Sequence, residues 1–161
     1  MQSIHQLQTK DIKNKDFNFA DLKGKVILIT NIALKCGTTP QLKELQELQD
    51  KFKDRGLVVL GVPANDFTKE SIQSDKISST CNVNFGTKFT LLQPCRCTGA
   101  NKSELFQFLT SQSSKENRGE VSFNFEKFLI DKNGFLRARF GSFTGALSEN
   151  LIENVEKLLN E

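Results

Sequence analysis

The chain has 161 residues, with 22 Lys and Arg against 19 Asp and Glu and a net charge of +3. This length suffices for one domain with a substantial core and is short for two, so we expect a single domain over residues 1–161. Both signs of charge are spread along the chain, which argues against a nucleic-acid partner or a membrane-surface role. There is neither a signal-peptide pattern at the start nor an apolar run near the roughly 20 residues that span a bilayer. We therefore expect a cytoplasmic protein without stable membrane insertion.

The first predicted element is a β-hairpin over residues 4–24. Its first strand covers residues 4–9, and a polar turn follows at residues 13–15. Phe17 and Phe19 alternate with polar residues in the second strand, and Gly24 closes the unit. This alternation, bounded by turn residues, is typical of a hairpin.

A strand–helix–strand unit is predicted next. Residues 26–33 form a nearly continuous apolar run, which indicates a strand buried on both faces. Thr39 is placed to cap a helix whose first position is Pro40. The helix ends before Gly56, and residues 57–62 form a second buried strand. Two such strands joined by a helix are expected to pair in parallel.

The remaining elements are shorter. Residues 64–88 are polar and predict a loop followed by a short helix near residues 70–79. Residues 89–92 predict a short strand, residues 103–109 a helix capped by Ser103, and residues 111–119 a polar linker.

The C-terminal part predicts two strands and a closing helix. The strands, residues 125–130 and 136–140, are joined by a turn whose Asn133-Gly134 pair suits the tight primed types. The amphipathic helix covers residues 147–159, with Ser148 as its cap. The order of elements predicts an α/β, thioredoxin-like fold: a central mixed β-sheet flanked by helices, preceded by the hairpin.

Cys36 is the candidate reactive residue. It follows the first buried strand and precedes the first core helix, where unpaired N–H groups and the helix dipole favour a thiolate. Lys35 acts in the same direction, and thiolate is the nucleophilic form of cysteine. A buried structural thiol is the alternative, and the position of Cys36 favours reactivity over it.

The other three cysteines are Cys81, Cys95 and Cys97. In a chain without a secretion signal, redox chemistry or metal binding is expected before structural disulfides. His5 is the single histidine, and the Cys95-x-Cys97 pair lacks a second pair at ligand spacing. We therefore expect neither a metal nor a cofactor.

Several ordered motifs resemble those of the glutathione peroxidase family. The segment Asn31-Ile32-Ala33-Leu34-Lys35-Cys36-Gly37 resembles its active-site stretch, and Val62-Pro63-Ala64-Asn65-Asp66-Phe67 resembles its FPCNQF segment. Phe123-Asn124-Phe125-Glu126-Lys127-Phe128-Leu129 resembles its WNFxKFL segment. The resemblance covers essentially the whole chain. It implies a thioredoxin fold and the reduction of hydrogen peroxide and of organic or lipid hydroperoxides.

The resemblance also implies roles for individual residues. Cys36 matches the peroxidatic position, where the thiolate attacks peroxide and becomes a sulfenic acid. Asn124 matches the active-site Asn and is expected to donate a hydrogen bond toward the sulfur. Cys81 matches the resolving cysteine of the thioredoxin-dependent members, which condenses with the sulfenic acid into a disulfide. The polar segment around Cys81 suits the local unfolding that this step needs.

Two positions depart from the family pattern. The family's Gln falls at Asp66 and its Trp at Phe123, and neither an ionised Asp nor a Phe can donate a hydrogen bond to a thiolate. An ionised Asp66 near Cys36 would raise the pKa of that thiol, whereas a protonated Asp66 could pass a proton to the leaving oxygen. Either alternative predicts a weaker or differently tuned peroxidase.

The resemblance also bears on partners and assembly. Thioredoxin or glutathione is the expected reductant, and the short 111–119 linker lacks the insertion that the tetrameric members use, so we expect a monomer. Cys95 and Cys97 fall where the family usually has other residues, and they are expected to be incidental or a secondary oxidation site. Two alternatives to the peroxidase remain open, namely a redox sensor or relay and a thioredoxin-fold binding protein with weakened catalysis.

Overall fold

A computed structural model describes residues 2–33, 39–64, 66 and 88–161. In chain order, its strands and α-helices are β1 (Gln8–Lys10), β2 (Asp16–Asn18), β3 (Val26–Ile32), α1 (Thr39–Phe52), β4 (Leu57–Pro63), β5 (Thr90–Leu91), α2 (Glu104–Thr110), β6 (Lys127–Ile130), β7 (Leu136–Phe140) and α3 (Glu149–Leu159). Short 3₁₀ helices occupy Ile4–Gln6, Phe19–Leu22 and Lys53–Arg55. In the described part of the chain, no helix is long and apolar enough to cross a membrane.

The central sheet has five strands in the order β5-β4-β3-β6-β7. β3 pairs in parallel with β4, and β4 in parallel with β5. β6 runs antiparallel to both of its neighbours, β3 and β7. The predicted parallel strand–helix–strand unit and mixed sheet are therefore confirmed, and the C-terminal ends of β3 and β4 lie at the same edge.

Helices cover both faces of the sheet. Alternate residues of a strand point to opposite faces, so Val26 and Leu28 pack against α1 and α3, whereas Ile27 and Ile29 pack with α2 and the N-terminal segment. All seven residues of β3 are buried. This accounts for the nearly continuous apolar run, because a strand covered on both faces has no solvent-facing positions.

The N-terminal hairpin is confirmed by the antiparallel pairing of β1 with β2. The predicted strand over residues 4–9 is wrong at its beginning, because Ile4–Gln6 is a 3₁₀ helix. There the Ser3 hydroxyl accepts a hydrogen bond from the His5 N–H, and the Ile4 N–H donates to the Gly134 carbonyl. This turn buries Ile4 completely in the core. A hairpin strand exposed to solvent would not bury Ile4 in this way.

The C-terminal hairpin is confirmed, but two details differ. β6 begins at Lys127, not at residue 125, because Phe125 has a left-handed backbone with φ of 64°. In the connecting turn only Gly134 has a positive φ, of 88°. The register of β6 and β7 shifts between Leu129 and Ile130, just before the turn. A primed two-residue turn centred on Asn133-Gly134 requires positive φ at Asn133, which is not observed, so the loop is of the longer, bulged kind.

The predicted helix ends are largely confirmed. The Ser103 side chain accepts from the Phe106 N–H at the start of α2, and the Ser148 side chain accepts from the Leu151 N–H at the start of α3. α1 begins at Thr39, one residue before its predicted first position at Pro40. The helix predicted near residues 70–79 lies outside the described residues.

Candidate active site

The predicted site residues divide into two groups. Asp66 and Asn124 are described, whereas Cys36 and Cys81 lie outside the described residues. Ala33 directly follows β3, and the Ala64 N–H, directly after β4, donates to the Ile32 carbonyl at 3.2 Å. The chain therefore leads toward Cys36 and Asp66 from the same edge of the sheet.

Asn124 lies at this edge, in the turn that precedes β6. The residue is buried, and its Oδ1 has no hydrogen-bond partner among the described residues. A buried polar atom without a partner costs free energy, so buried polar groups in native proteins are usually hydrogen-bonded. An amide also carries both a donor and an acceptor, which suits contact with a reacting group.

The turn around Asn124 is held by Asn31 of β3. The Asn31 Nδ2 donates to the Phe123 carbonyl at 3.0 Å, and its Oδ1 accepts from the Glu126 N–H at 3.0 Å. The Asn31 carbonyl accepts from the Phe125 N–H at 2.7 Å. Asn31 is completely buried, and its three bonds surround Asn124 on both sides.

A buried ion pair supports the approach to the same turn. The Glu126 carboxylate lies 2.9 Å from the Arg139 guanidinium of β7, and both side chains are at most 10% exposed. Glu126 also accepts from the Ser122 N–H, and Arg139 donates to the carbonyls of Gly119 and Glu120. The segment that leads into Asn124 is therefore tied to the sheet.

Asp66 has a different set of partners from the one expected. Its buried carboxylate accepts from the Cys97 N–H at 2.9 Å, the Cys97 Sγ at 3.4 Å, and the Thr98 hydroxyl and N–H at 2.8 and 3.2 Å. The Arg96 Nε lies 3.7 Å away. Burial alone would raise the pKa of Asp66, but these hydrogen bonds hold the pKa below its ordinary value. The carboxylate is therefore ionised at neutral pH and anchors the 96–98 loop.

Cys95 and Cys97 are both free thiols on this loop. Burial raises the pKa of Cys97, and the charge and hydrogen bond of Asp66 raise it further. Burial likewise raises the pKa of Cys95, in spite of a hydrogen bond with Ser103. Both residues are thus held as thiols, the less nucleophilic form of cysteine.

Lys127 links β6 to the first turn of α1. Its Nζ is completely buried and donates to the Gln41 Oε1 at 3.0 Å and to the Ser142 carbonyl at 3.3 Å. Burial lowers the pKa of Lys127 to about 8, while the charges of Glu44 and Glu126 oppose this change. A positive charge therefore lies inside the protein beside the start of α1.

The described residues contain no cluster of three or more His, Cys, Asp or Glu side chains that could hold a metal ion. Two residues at the site escaped prediction as individual contributors, namely Asn31 and Lys127. The signal available for each was a polar residue among apolar neighbours in a predicted strand, since Asn31 interrupts the apolar run 26–33 and Lys127 the predicted strand 125–130.

Solved structures define the class of protein. The crystal structure of Trgpx in its apo form has a TM-score of 0.80 with this chain, covering 100% of it and 98% of Trgpx at 25% identity. A thioredoxin-family thiol:disulfide interchange protein from Chlorobium tepidum has a TM-score of 0.67 at 16% identity, covering 95% of this chain and 92% of that protein, and shows the fold alone. The predicted thioredoxin-like fold is confirmed.

Sequence comparison defines the family. The glutathione peroxidase family model matches residues 4–110. Glutathione peroxidase-like peroxiredoxin 2 of Saccharomyces cerevisiae is 41% identical over 162 residues, covering 99% of this chain and 98% of that protein. Glutathione peroxidase-like peroxiredoxin GPX5 of Chlamydomonas reinhardtii is 41% identical over 158 residues, covering 98% of this chain and 96% of that protein. The chain belongs to the glutathione peroxidase family, and the predicted class of enzyme, a peroxidase among the oxidoreductases, is confirmed.

Proposed function

We propose that this chain reduces hydrogen peroxide and organic hydroperoxides through Cys36. The Cys36 thiolate attacks one peroxide oxygen, the O–O bond breaks, and the other oxygen leaves with a proton as water or an alcohol. The sulfur is oxidised to a sulfenic acid while the peroxide is reduced. The observation that carries this proposal is the buried amide of Asn124 at the sheet edge from which the chain leads to Cys36, because an amide Nδ2 can donate to a developing negative charge.

The length of the connecting chain supports the pairing of Cys36 with Asn124. Cys36 is three residues from Ala33 and three from Thr39 in the sequence, and three residues of chain reach about 11 Å at most. Ala33 follows β3, where Asn31 holds the turn of Asn124. We expect the Asn124 amide to donate to the developing charge on sulfur or oxygen, which stabilises the transition state.

Cys81 is proposed to complete the cycle. Its thiol attacks the Cys36 sulfur, water leaves, and a disulfide forms between the two residues. A dithiol protein of the thioredoxin type then reduces this disulfide by exchange, with glutathione as the alternative reductant. We further propose that the protein is monomeric and cytoplasmic, and sedimentation velocity tests the first of these.

Asp66 is proposed to tune the reaction by its charge. Its hydrogen bonds from Cys97 and Thr98 favour the ionised form, which supports the like-charge alternative over the proton donor. An ionised Asp66 close to Cys36 would raise the pKa of the Cys36 thiol and slow the reaction at neutral pH. The variant Asp66→Gln is then expected to react faster than wild type, whereas slower turnover would support proton donation.

The test is peroxide consumption with a thioredoxin regenerating system. Wild type should consume peroxide, and Cys36→Ser should have no activity above background. Cys81→Ser should complete one oxidation of Cys36 but lose turnover with thioredoxin. A Cys36→Ser variant as fast as wild type would refute the proposal. A Cys81→Ser variant that accumulates a mixed disulfide with one protein partner would instead favour the redox relay.

A further inference from the structure

The side chain of Asn31 does more than fill the core beside β3. Its Nδ2 and Oδ1 bond the carbonyl of Phe123 and the N–H of Glu126, the residues that flank Asn124 and Phe125. Asn31 is 0% exposed and its bond from the Glu126 N–H is buried, so water could not replace Asn31 as the partner of that N–H. The amide of Asn31 therefore bonds a backbone acceptor and a backbone donor of the turn at once.

The hydrogen bonds of Asn31 connect β3 to the turn just beyond the last paired residues of β3 and β6. The pairing of β3 with β6 runs from Ile27–Ile130 to Thr30–Lys127 and stops there. Asn31 is the next residue of β3, and its carbonyl and side chain continue the connection into a segment that is no longer a strand. The register of the two strands thus fixes the position of the turn relative to β3.

The turn has a conformation that needs such support. Phe125 has φ of 64°, a strained region that a bulky residue rarely adopts. Its ring is buried in the core cluster that includes residues of α1, α3 and the sheet, so the backbone cannot relax without moving the ring. Strained conformations persist only where surrounding contacts hold them, and they are concentrated at functional sites.

We propose that Asn31 is a positioning residue for the peroxidase reaction, acting by holding the 123–126 turn so that the Asn124 amide faces the reacting atoms. This inference rests on the proposed role of Asn124 at Cys36. Asn31 itself is fully engaged by the backbone of the turn and is not expected to touch the substrate. Replacing Asn31 leaves Asn124 itself unchanged, but the direction of the Asn124 amide is no longer fixed.

A double-mutant cycle tests this inference. The rate of Cys36 oxidation by hydrogen peroxide is measured in a single turnover, with mass spectrometry of the Cys36 peptide, for Asn31→Ala, Asn124→Ala and the double variant. Loss of a hydrogen bond to a charged group predicts a roughly ten- to hundredfold slower reaction for Asn124→Ala. Asn31→Ala should be slower by a similar factor and should add little in the Asn124→Ala background.

The matched control is Thr30→Val. Thr30 is the preceding residue of β3 and equally buried, and its hydroxyl has no hydrogen-bond partner among the described residues. Valine has nearly the same shape, so this variant should react at the wild-type rate. Amide hydrogen exchange at Phe125 and Glu126 gives a second measurement that does not depend on activity, and both amides should exchange faster in Asn31→Ala but not in Thr30→Val.

Asn31→Asp decides the question if Asn31→Ala does not fold. Aspartate keeps the acceptor for the Glu126 N–H but, when ionised, loses the donor to the Phe123 carbonyl. A protonated Asp restores that donor, so the rate relative to wild type should recover as the pH is lowered. A ratio that stays constant with pH would overturn the inference.

The remaining outcomes separate the two proposals. If Asn124→Ala is slow and Asn31→Ala reacts like wild type, the positioning role is refuted and the proposed function stands. Independent, multiplicative losses in the double variant would also refute it. If wild type does not oxidise at Cys36, or Asn124→Ala has no effect, the failure lies in the proposed function, and the positioning role falls with it.

Discussion

Lys127 provides a prediction about stability because it buries an ammonium group completely. Its Nζ donates to the Gln41 Oε1 and the Ser142 carbonyl, which tie β6 to α1 and to the segment after β7. The carboxylates of Glu44 and Glu126 act in favour of the charge, but burial dominates and lowers the pKa to about 8. The proposed variant is Lys127→Met, which keeps a chain of similar length and removes the titration.

The sign and size of the pH dependence of stability follow from proton binding in the folded and unfolded states. In the unfolded chain Lys127 keeps its proton up to about pH 10.5, the ordinary pKa of lysine, whereas the folded protein releases it near pH 8. Between these values the unfolded state binds more protons, so this group makes the free energy of unfolding rise with pH. At about 1.4 kcal/mol per pH unit, the gain over this window is about 3 kcal/mol.

The assay is urea unfolding under reducing conditions from pH 7 to 10.5. The difference in unfolding free energy, wild type minus Lys127→Met, should increase by about 3 kcal/mol across this range, because all other groups cancel. Near pH 7 we expect the two proteins to be similar, since the charge removed was costly to bury and the acceptors left behind are costly to leave unpaired. Lys43→Met, at an exposed position of α1, is the control. A difference that stays flat with pH would refute the reasoning.

Three further predictions concern stability at other sites. Glu126→Gln breaks the buried pair with Arg139 and should lower the free energy of unfolding by about 3 kcal/mol, and a loss below about 1 kcal/mol in urea would contradict this. Asp66→Asn should be less stable than wild type above pH 3.8, the ordinary pKa of Asp. The difference in unfolding free energy should shrink as the pH falls below that value, because the hydrogen bonds that lower the pKa of Asp66 stabilise only its ionised form. A difference that is constant from pH 7 to 3 would refute this. Gly61→Ala places a Cβ 2.9 Å from the Phe89 ring and should cost about 1–3 kcal/mol by thermal or urea unfolding, whereas an unchanged midpoint would show that the ring moves aside.

Most of the sheet was predictable because its signals are local. The apolar run of residues 26–33 corresponds to β3, whose seven residues are all buried, and the serines at 103 and 148 cap the helices that follow them. Errors arose where a contact distant in the sequence overrides the local pattern. Ile4–Gln6 alternates like a strand but turns because it bonds the 134 region, and Phe125 leaves the β conformation because Asn31 holds its N–H.

The site was less predictable than the fold. Asn124 was predicted through the motif, but the turn that contains it is held by Asn31, 93 positions earlier in the chain. Asp66 has Cys97 and Thr98 as partners. They are 31 and 32 residues away in the sequence, and no spacing rule relates them to Asp66. A lysine in a strand is usually solvent-exposed, and the burial of Lys127 follows only from the packing of α1 and the segment after β7.

The sequence by itself determined the family, the order of the elements and the candidate cysteines, because motifs, apolar periodicity and capping residues act over a few neighbouring positions. The tertiary structure alone decided that Asn31 holds the Asn124 turn, that Asp66 is ionised and that Lys127 is buried. Hydrogen bonds and desolvation depend on which groups the fold brings within about 3 Å of one another, and this proximity is unrelated to separation along the chain.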